Sequence, residues 1–384
     1  MSTNYSYPVA RVGIVGGGQL ARMKVLAAHL LGLESVILDP DASCPASGVA
    51  SAQIVGDVSD PQKQRELVES CDVTTFDIEN IETAELIKLE AEGQRIYPSP
   101  RLLESLQNKL IQKQLLANAG IATSEFTTVE ELTEKSFADF GYPLVQKTQR
   151  GGYDGRGVAV IKTADDFAKH LDAPSFIERF VRAEKELAVM VARSEDGSIC
   201  SYPVVEMKIN IDHNVLETVC VPSIISAEIE IAAKSLAERS IEVLDGVGVF
   251  GVEMFLDKED NILINEIAPR THNSGHYTIE ACATDQFEQH LRAVTGLPLG
   301  SSELLCPAVM INLLGAEGSS GPVKIGGLRE TLAIAGVNLH LYGKTQSKPY
   351  RKMGHITVLD KNLEQAKKKA EEVTKLIRIE GENS

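Results

Sequence analysis

The residues Val12-Gly-Ile-Val-Gly-Gly-Gly-Gln-Leu-Ala-Arg-Met23 join an apolar run to a helical pattern through three consecutive glycines. Val12 to Val15 has the composition of a short buried strand, and Leu20 to Leu31 carries apolar residues at helical spacing. Ser35 to Leu38 is a second buried-strand run, which ends at Asp39. This order of strand, helix and strand predicts a parallel sheet, and therefore an α/β chain.

The glycine turn by itself fits more than one ligand. Gly16-x-Gly18-x-x-Ala21, followed by Asp39, has the spacing of dinucleotide-binding turns. Such glycines let a backbone approach any anion at a helix N terminus, where free N–H groups and the helix dipole favour negative charge. The turn therefore leaves three interpretations open: a dinucleotide site, a site for another phosphate compound, or a structural tight turn.

The pattern beyond this turn divides the chain into units. Helices at Pro61 to Glu69 and Thr83 to Glu92 flank a strand at Val73 to Phe76, and the segment Tyr97-Pro-Ser-Pro100 marks a probable boundary of the first unit. A helix is predicted over Arg101 to Ala119. A smaller unit of short strands and helices follows to about residue 193, a β-rich unit to about 310, and a last unit to 384.

A second glycine-rich segment follows a strand-like run. Residues 147 to 160 read Lys-Thr-Gln-Arg-Gly-Gly-Tyr-Asp-Gly-Arg-Gly-Val-Ala-Val. A hairpin this rich in glycine is mobile and can present successive backbone N–H groups to a polyphosphate, to which Lys147 would add charge. The alternative is a flexible surface hairpin with a solvated lysine. Arg156 and Lys109, as further cations in an acidic chain, favour an anion site.

Two carboxylates lie in neighbouring apolar runs. Glu253 belongs to Val249 to Leu256 and Glu266 to Ile262 to Ile267, and a short polar turn joins the runs, which predicts an antiparallel hairpin. Glu253 can then lie opposite Glu266, where like charges cost stability. Bound Mg²⁺ removes that cost because it takes carboxylate oxygens together with substrate phosphates, and Asn265 offers another oxygen. The alternative is two exposed strand glutamates, although burial is expected in strands this apolar.

Polar and cationic segments follow the second carboxylate. Ala268-Pro-Arg-Thr-His-Asn-Ser-Gly-His276 predicts a polar loop above the hairpin, where a second substrate could bind. Tyr342-Gly-Lys344 and Lys348-Pro-Tyr-Arg-Lys-Met-Gly-His355 add cations that lead into an apolar strand. This arrangement favours an anion site over a solvated basic loop.

Composition excludes several classes of protein. The 384 residues include 54 acidic and 38 basic side chains, for a net charge of −16. Because this charge is spread along the chain, neither nucleic acid nor an anionic membrane is expected as the main partner. No apolar run approaches the roughly 18 to 20 residues that span a bilayer. Six widely spaced cysteines and a polar N terminus without a signal-peptide core lead us to expect reduced thiols and a cytoplasmic location.

Four strings resemble the ATP-grasp superfamily and, within it, the family of N5-carboxyaminoimidazole ribonucleotide synthetases of purine biosynthesis. They are Gly16-Gly-Gly-Gln-Leu-Ala-Arg-Met23, Gln146-Lys-Thr with Gly151-Gly-Tyr-Asp-Gly-Arg-Gly157, Asn265-Glu-Ile-Ala-Pro-Arg-Thr-His-Asn-Ser-Gly-His276, and Arg351-Lys-Met-Gly-His-Ile-Thr357. The glycine loop and the carboxylate pair indicate only ATP-grasp. The segments His272-Asn-Ser-Gly-His276 and Arg351-Lys-Met-Gly-His355 point to this family. Ala21 and Thr271 stand where the family usually has glycine and proline.

The resemblance implies an ATP-grasp fold in four parts. They are an N-terminal Rossmann-like, parallel-sheet domain at 1–100, linker helices and a small lid at 101–193, a larger C-terminal ATP-grasp subdomain with the magnesium site at 194–310, and a C-terminal region that contacts substrate at 311–384. It also implies a homodimer whose partners are small molecules.

The resemblance assigns roles on the nucleotide side. Two lysines and the glycine loop would contact the ATP phosphates, and residues further along the chain would complete the nucleotide site. The implied nucleotide-binding residues are Lys109, Lys147, Gly152, Gly155, Gly157, Glu178, Val181, Glu186, His213, Asn265 and Glu266. Glu178 to Val181 would hold adenine through the backbone, and Glu186 would take the ribose hydroxyls. Mg²⁺ would bind Glu253 and Glu266.

It also assigns roles around bicarbonate and the aminoimidazole ribonucleotide. The catalytic set would be Tyr153, Asp154, Arg156, Arg270, His272 and Lys352. The ribonucleotide would contact Gly18, Gln19, Leu20, Glu79, Asn273, Ser274, Lys344 and Arg351. The implied reaction is ATP-driven carboxylation through carboxyphosphate, with Asp154, assisted by Tyr153, as the candidate base for the amine proton.

Two functions of other classes compete with this one. An NAD-dependent dehydrogenase would explain the first glycine turn but neither the second glycine loop nor Glu253 and Glu266. A non-catalytic nucleotide-binding regulator would keep the fold without turnover, yet every polar position that the chemistry needs is present.

Overall fold

The N-terminal part is a parallel sheet, as the first glycine segment predicts. The structure is a computed structural model that describes residues 7, 9–129, 131–152, 157–210 and 213–382. Four parallel strands lie in the order β3-β2-β1-β4. The elements are β1 (Arg11–Val15), α1 (Gln19–Leu30), β2 (Glu34–Asp39), β3 (Ala52–Val55), α2 (Pro61–Glu69), β4 (Val73–Phe76) and α3 (Ala84–Ala91).

The helical stretch predicted over Arg101 to Ala119 is divided into two helices. These are α4 (Pro100–Leu106) and α5 (Lys109–Asn118). The Asn108 side chain accepts hydrogen bonds from the N–H groups of Leu110 and Ile111 and so starts a new helix. An Asn at this position is a strong N-cap, and it interrupts an apolar pattern that otherwise continues.

The second sheet is small and antiparallel. Its strands lie in the order β5-β8-β6-β7, and β6 pairs with β7 on the two sides of the second glycine segment. The elements are β5 (Phe126–Thr128), α6 (Glu134–Phe140), β6 (Leu144–Thr148), β7 (Val158–Ile161), a 3-10 turn (Ala164–Lys169) and β8 (Ser175–Arg179).

The largest sheet extends through the second half of the chain. The remaining elements are β9 (Lys185–Arg193), β10 (Ile199–Ser201), β11 (Val205–Asn210), β12 (Val215–Val221), α7 (Ala227–Leu244), β13 (Gly248–Leu256), β14 (Ile262–Ala268), α8 (Thr278–Ala281), α9 (Gln286–Thr295), β15 (Ala308–Leu314), β16 (Gly321–Gly326), α10 (Leu328–Leu332), β17 (Val337–Leu341), β18 (Gln346–Ser347), β19 (Lys352–Leu359), α11 (Leu363–Leu376) and β20 (Arg378–Gly381).

Nine of these strands form one sheet and three form another. The large sheet has the order β14-β13-β9-β11-β12-β15-β19-β17, with β10 beside β9, and the small one has the order β18-β16-β20. Helix α9 packs on both α1 and β13, and His290 at its centre hydrogen-bonds Thr75 of the N-terminal sheet at 2.7 Å. The parallel sheet is thereby held against the large sheet.

Candidate active site

Glu253 and Glu266 lie directly opposite each other on β13 and β14, as the sequence predicts. Burial and the charge of Glu266 raise the pKa of Glu253 to about 7. Burial also acts to raise the pKa of Glu266, but the nearby ammonium of Lys109 outweighs it and lowers that pKa below the usual value. Lys109 Nζ lies 2.5 Å from Glu266 Oε1. The two carboxylates thus share one location but have opposite surroundings.

Two lysines, one from a helix and one from a strand, converge beside Glu266. Lys109 begins α5, and Lys147 comes from β6 with its Nζ 2.9 Å from Asn265 Oδ1. A narrow crevice between them is lined by Lys109, Gln112, Lys113, Lys147, Phe176, Asn265 and Glu266. Clustered cations beside a carboxylate pair suit a ligand that carries both phosphate and a divalent metal.

The Glu178 side chain is buried between two ammonium groups. Its oxygens lie 2.6 Å from Lys147 Nζ and 2.6 Å from Lys113 Nζ. Burial acts to raise its pKa, but the two lysines lower the pKa of Glu178 to about 2. Val181 follows β8, and Glu186 lies half-buried on β9, where burial raises its pKa. The Glu178 carboxylate is therefore occupied by the two lysines and is not available to a ligand.

A polar loop covers the other side of the carboxylate pair. Arg270 Nε lies 2.8 Å from Glu79 Oε1, so the loop is tied to the N-terminal sheet. Ser274 is fully buried, and its Oγ contacts His272 Nδ1 at 2.9 Å. The Asn273 amide is buried, and none of the described residues forms a hydrogen bond with its oxygen or nitrogen. An unpartnered buried amide is costly, which makes Asn273 a candidate ligand contact.

His272 and Lys352 approach Glu253 from this side. His272 Nε2 lies 3.6 Å from Glu253 Oε1, and burial together with the charges of Arg270 and Lys352 holds the pKa of His272 well below its usual range. Lys352 begins β19, and its charge also acts to lower the pKa of Glu253. The imidazole is therefore neutral at pH 7 and can serve as a hydrogen-bonding group.

The remaining C-terminal cations lie beside Lys352. Lys344 Nζ donates to the Lys352 carbonyl at 2.7 Å, and Arg351 Nη1 donates to the Gln346 carbonyl at 2.6 Å. His213 stacks on Tyr350 with ring centroids 3.8 Å apart. The structure thus brings His213 against the Arg351 segment. Tyr153, Asp154, Gly155 and Arg156 lie outside the described residues, whereas Gly152 and Gly157 flank them.

Comparisons with known proteins agree with this geometry. Three family models match successive parts of the chain: a ribonucleotide synthetase preATP-grasp domain at 9–107, an ATP-grasp domain at 114–287, and a phosphoribosylaminoimidazole carboxylase C-terminal domain at 308–369. An N5-carboxyaminoimidazole ribonucleotide synthase of Synechococcus elongatus is 42% identical over 360 residues, which cover 91% of this chain and 90% of that one. The chain belongs to the N5-carboxyaminoimidazole ribonucleotide synthetase family.

Solved structures of this family have the same fold. The synthetase from Thermotoga maritima has a TM-score of 0.91 and 48% identity, and the match covers 97% of this chain and 100% of that one. A synthase from Aspergillus clavatus, solved with ADP and 5-aminoimidazole ribonucleotide, has a TM-score of 0.88 and 35% identity, covering 95% and 98%. The ATP-grasp fold with an N-terminal parallel-sheet domain and a C-terminal domain is therefore confirmed.

The first glycine turn differs from a dinucleotide site. Asp39 accepts a hydrogen bond from Gly17 N at 2.8 Å, and Asp77 accepts from Gly18 N at 2.8 Å and from Ala21 N at 2.5 Å. A Cβ on Gly18 would lie only 2.5 Å from Asp77 Oδ2. Two carboxylates therefore occupy the donors that a pyrophosphate would need. Among the described residues, no acceptor bonds the N–H groups that begin α1, those of Gln19 and Leu20.

Two residues that contact and orient site residues were not predicted from the sequence. Lys113 lies one helical turn after Lys109, and that spacing was its only signal. Gln286 is fully buried at the start of α9, where its amide donates to the His272 carbonyl at 2.8 Å and accepts from His272 N at 2.9 Å. It also contacts His276 Nδ1 at 3.0 Å. No local pattern reveals such a residue.

The described residues contain neither a larger cluster of metal-binding side chains nor a membrane-spanning helix. No group of three or more His, Cys, Asp or Glu side chains in that part of the chain could hold a metal ion without another ligand source. No helix there is long and apolar enough to cross a membrane. All six cysteine thiols, each in a described segment, are free.

Proposed function

We propose that this protein uses ATP and bicarbonate to carboxylate 5-aminoimidazole ribonucleotide, which gives N5-carboxyaminoimidazole ribonucleotide in purine biosynthesis. It is an ATP-dependent ligase. The observation that carries the proposal is the position of the carboxylate pair among four cations. Lys109, Lys147 and Arg270 act on Glu266, and Lys109 and Lys352 act on Glu253.

ATP binds, in this proposal, between the small sheet and the hairpin of β13 and β14. Lys109 and Lys147 hold the phosphates, and the Gly152 to Gly157 segment closes over them. The backbone from Glu178 to Val181 holds adenine, while Glu186 takes the ribose hydroxyls and His213 makes a further contact. A synthase from Aspergillus clavatus that was solved with ATP, 35% identical with a TM-score of 0.87, supports the nucleotide assignment.

Magnesium is proposed to bind Glu253 and Glu266. The residues fit such an ion because two carboxylates face each other in one register, and burial and the charge of Glu266 raise the pKa of Glu253. Two protein carboxylates with the remaining ligands from phosphate and water suit Mg²⁺. When bound, the ion neutralises charge on the transferred phosphoryl group. Asn265 supports the nucleotide by holding Lys147.

The ribonucleotide is proposed to lie between the first glycine turn and the polar loop. The N–H groups of Gln19 and Leu20 begin a twelve-residue helix and are well oriented for a phosphate. Gly18 sets the turn, Glu79 and Arg270 border the space, and Asn273, Ser274, Lys344 and Arg351 complete it. Asn273 gains hydrogen bonds that it otherwise lacks.

The chemistry follows from these positions. Bicarbonate attacks the γ-phosphate to give carboxyphosphate and ADP, carboxyphosphate releases CO₂ and phosphate, and the exocyclic amine attacks CO₂ and loses a proton. Arg270 and Lys352 neutralise the anionic species, and neutral His272 donates or accepts a hydrogen bond. Asp154, assisted by Tyr153, is proposed to take the amine proton, and Arg156 is proposed to contact bicarbonate and the ribonucleotide.

The setting of the enzyme is also a proposal. The acidic chain and the small-molecule substrates support a cytoplasmic enzyme with no nucleic acid or membrane partner, and we propose that it acts as a homodimer. We propose that the boundaries between the four parts of the chain lie at residues 100, 193 and 310.

The deciding experiment measures ADP release. The wild-type protein is expected to release ADP in a reaction that requires bicarbonate and Mg²⁺ and is accelerated by aminoimidazole ribonucleotide, with one carboxylated product per ADP. ATP hydrolysis at a rate that depends on neither bicarbonate nor aminoimidazole ribonucleotide would contradict the proposal. Nicotinamide reduction without ATP would instead support a dehydrogenase.

A further inference from the structure

Lys113 carries a buried charge that the proposed mechanism does not use. Its side chain is 4% exposed, and its ammonium contacts Glu178 at 2.6 Å. It also donates to Thr123 Oγ1 at 2.7 Å and to Ser124 Oγ. An ammonium has three N–H donors, and all three are directed to protein groups. Lys113 is therefore not arranged to contact a substrate.

Glu178 joins this lysine to Lys147. Oε2 faces Lys113 and accepts from Ser124 Oγ at 2.9 Å, while Oε1 faces Lys147 at 2.6 Å. Helix α5 and two strands of the small sheet, β6 and β8, thus meet at one carboxylate that is 3% exposed. Lys147 has a further contact with Asn265 at 2.9 Å, which leaves one donor for a ligand in the crevice.

The charges of these three residues do not cancel. Two ammonium groups and one carboxylate leave a net charge of one positive unit, beside a crevice that Lys113 and Lys147 both line. The other charges facing this group are Lys109, which is paired with Glu266, and Glu186 of β9. Without Lys113, Glu178 and Lys147 would form a neutral pair, and little charge would remain for a phosphate.

We propose that Lys113 is a positioning residue that neutralises Glu178, so that the charge of Lys147 remains available to the nucleotide phosphates. The inference rests on the proposed nucleotide site and adds to it a residue that never touches ATP. In a partly desolvated crevice, one unit charge within about 8 Å changes anion affinity by at least about tenfold.

The test changes the charge while keeping the backbone contacts. Calorimetry would measure the Kd of MgADP for the wild type, for Lys113→Met, and for Lys113→Met combined with Glu178→Gln. The single change is expected to raise Kd by at least about tenfold, and the loss in turnover is expected in the KM for ATP rather than in kcat. The double variant restores one net positive charge and is expected to recover a Kd within about threefold of the wild type.

The control is Lys88→Met, which removes the same charge from a side chain that is 66% exposed. It is expected to leave Kd unchanged.

The double variant buries no unpaired carboxylate, so it keeps the test decisive even if the single variant does not fold.

A single variant that binds MgADP like the wild type would overturn the inference, as would a folded double variant that binds tenfold more weakly. In either case, wild-type ADP release that requires bicarbonate would leave the proposed function standing. A wild type that binds no nucleotide would overturn both.

Discussion

Glu253 and Glu266 face each other across one ladder, yet their pKa values shift in opposite directions. The Glu266 side faces Lys109 and Lys147, which keep that carboxylate ionised. Glu253 is bordered by a neutral imidazole, and the charges of Lys109 and Lys352 only partly offset its burial. The difference teaches that Glu266 has sufficient countercharge from the protein itself, whereas Glu253 needs a bound ligand to offset its burial.

The largest expected effect tests whether both carboxylates serve the metal. Glu266→Gln removes the negative charge of one of two proposed ligands, which also pairs with Lys109, and several kcal/mol of lost charge stabilisation would reduce turnover by at least about a thousandfold. Steady-state ADP release at millimolar Mg²⁺ measures it. Glu259→Gln, an exposed change in the turn of the same hairpin, is the control. Full activity of Glu266→Gln at sub-millimolar Mg²⁺ would refute the metal site.

The next prediction separates the two sides. Lys352→Met should weaken turnover that depends on the ribonucleotide by about 10-fold to 150-fold, because an ionic contact with a buried anion contributes about 1.5–3 kcal/mol. The affinity for ATP should stay within about threefold of the wild type. Titration with each substrate measures both values.

Lys348→Met is the matched control, since Lys348 is exposed four residues earlier in the same segment. If ATP affinity collapses in Lys352→Met while the ribonucleotide binds normally, this cationic segment serves the nucleotide instead.

A smaller loss of ribonucleotide affinity is expected when the polar loop loses its hydrogen bonds to Gln286. Gln286→Leu leaves the His272 backbone and His276 Nδ1 without their partner, so the loop should shift and the KM for the ribonucleotide should rise by about tenfold. The Kd for ADP should not change.

Gln289→Leu provides the comparison for this change. Gln289 lies one turn later on α9, is equally buried, and bonds Gly300 N and O at 2.7 Å and 2.8 Å, away from the site. Similar losses of ribonucleotide affinity in both variants would mean that Gln286 acts only through stability.

The sequence predicted the parts of this molecule that local patterns encode. Alternating strands and a polar turn were enough to pair Glu253 with Glu266, and the first glycine segment was enough for the parallel sheet. The break at Asn108 was missed because apolar residues continue at helical spacing on both sides of it. Lys113 and Gln286 were missed because their roles come from contacts between separate elements, which no spacing along the chain records.

The first glycine turn shows the same limit in another form. Its spacing fits a dinucleotide as well as it fits another phosphate compound. Only the structure reveals that the carboxylates of Asp39 and Asp77 accept hydrogen bonds from the backbone N–H groups of Gly17, Gly18 and Ala21. Asp77 directly follows β4 at the carboxyl end of a parallel strand, where functional side chains are common, but its partner could not be read from that position.

The smallest expected effect concerns stability, where neutralising Glu253 and neutralising Glu266 should act in opposite directions. Without metal or nucleotide, Glu253→Gln should stabilise the protein, because ionising Glu253 in the folded state is costly: a shift from 4.5 to about 7 corresponds to at most roughly 3 kcal/mol. Glu266→Gln should instead destabilise it by about 1 kcal/mol, because Lys109 loses its partner at a partly exposed site.

The pH dependence gives the sign of the Glu253 effect. Its folded pKa is raised above the unfolded value, so the cost is absent below pH 4.5, grows between pH 4.5 and about 7, and is complete above. Glu253→Gln should therefore melt like the wild type near pH 5 and about 2–4 °C higher at pH 8. Mg²⁺ with ADP should reverse the order at pH 8, because only the wild type keeps both carboxylates for the ion. Equal melting temperatures at pH 8, with and without the ligands, would mean that Glu253 ionises freely and that the two sides of the ladder do not differ.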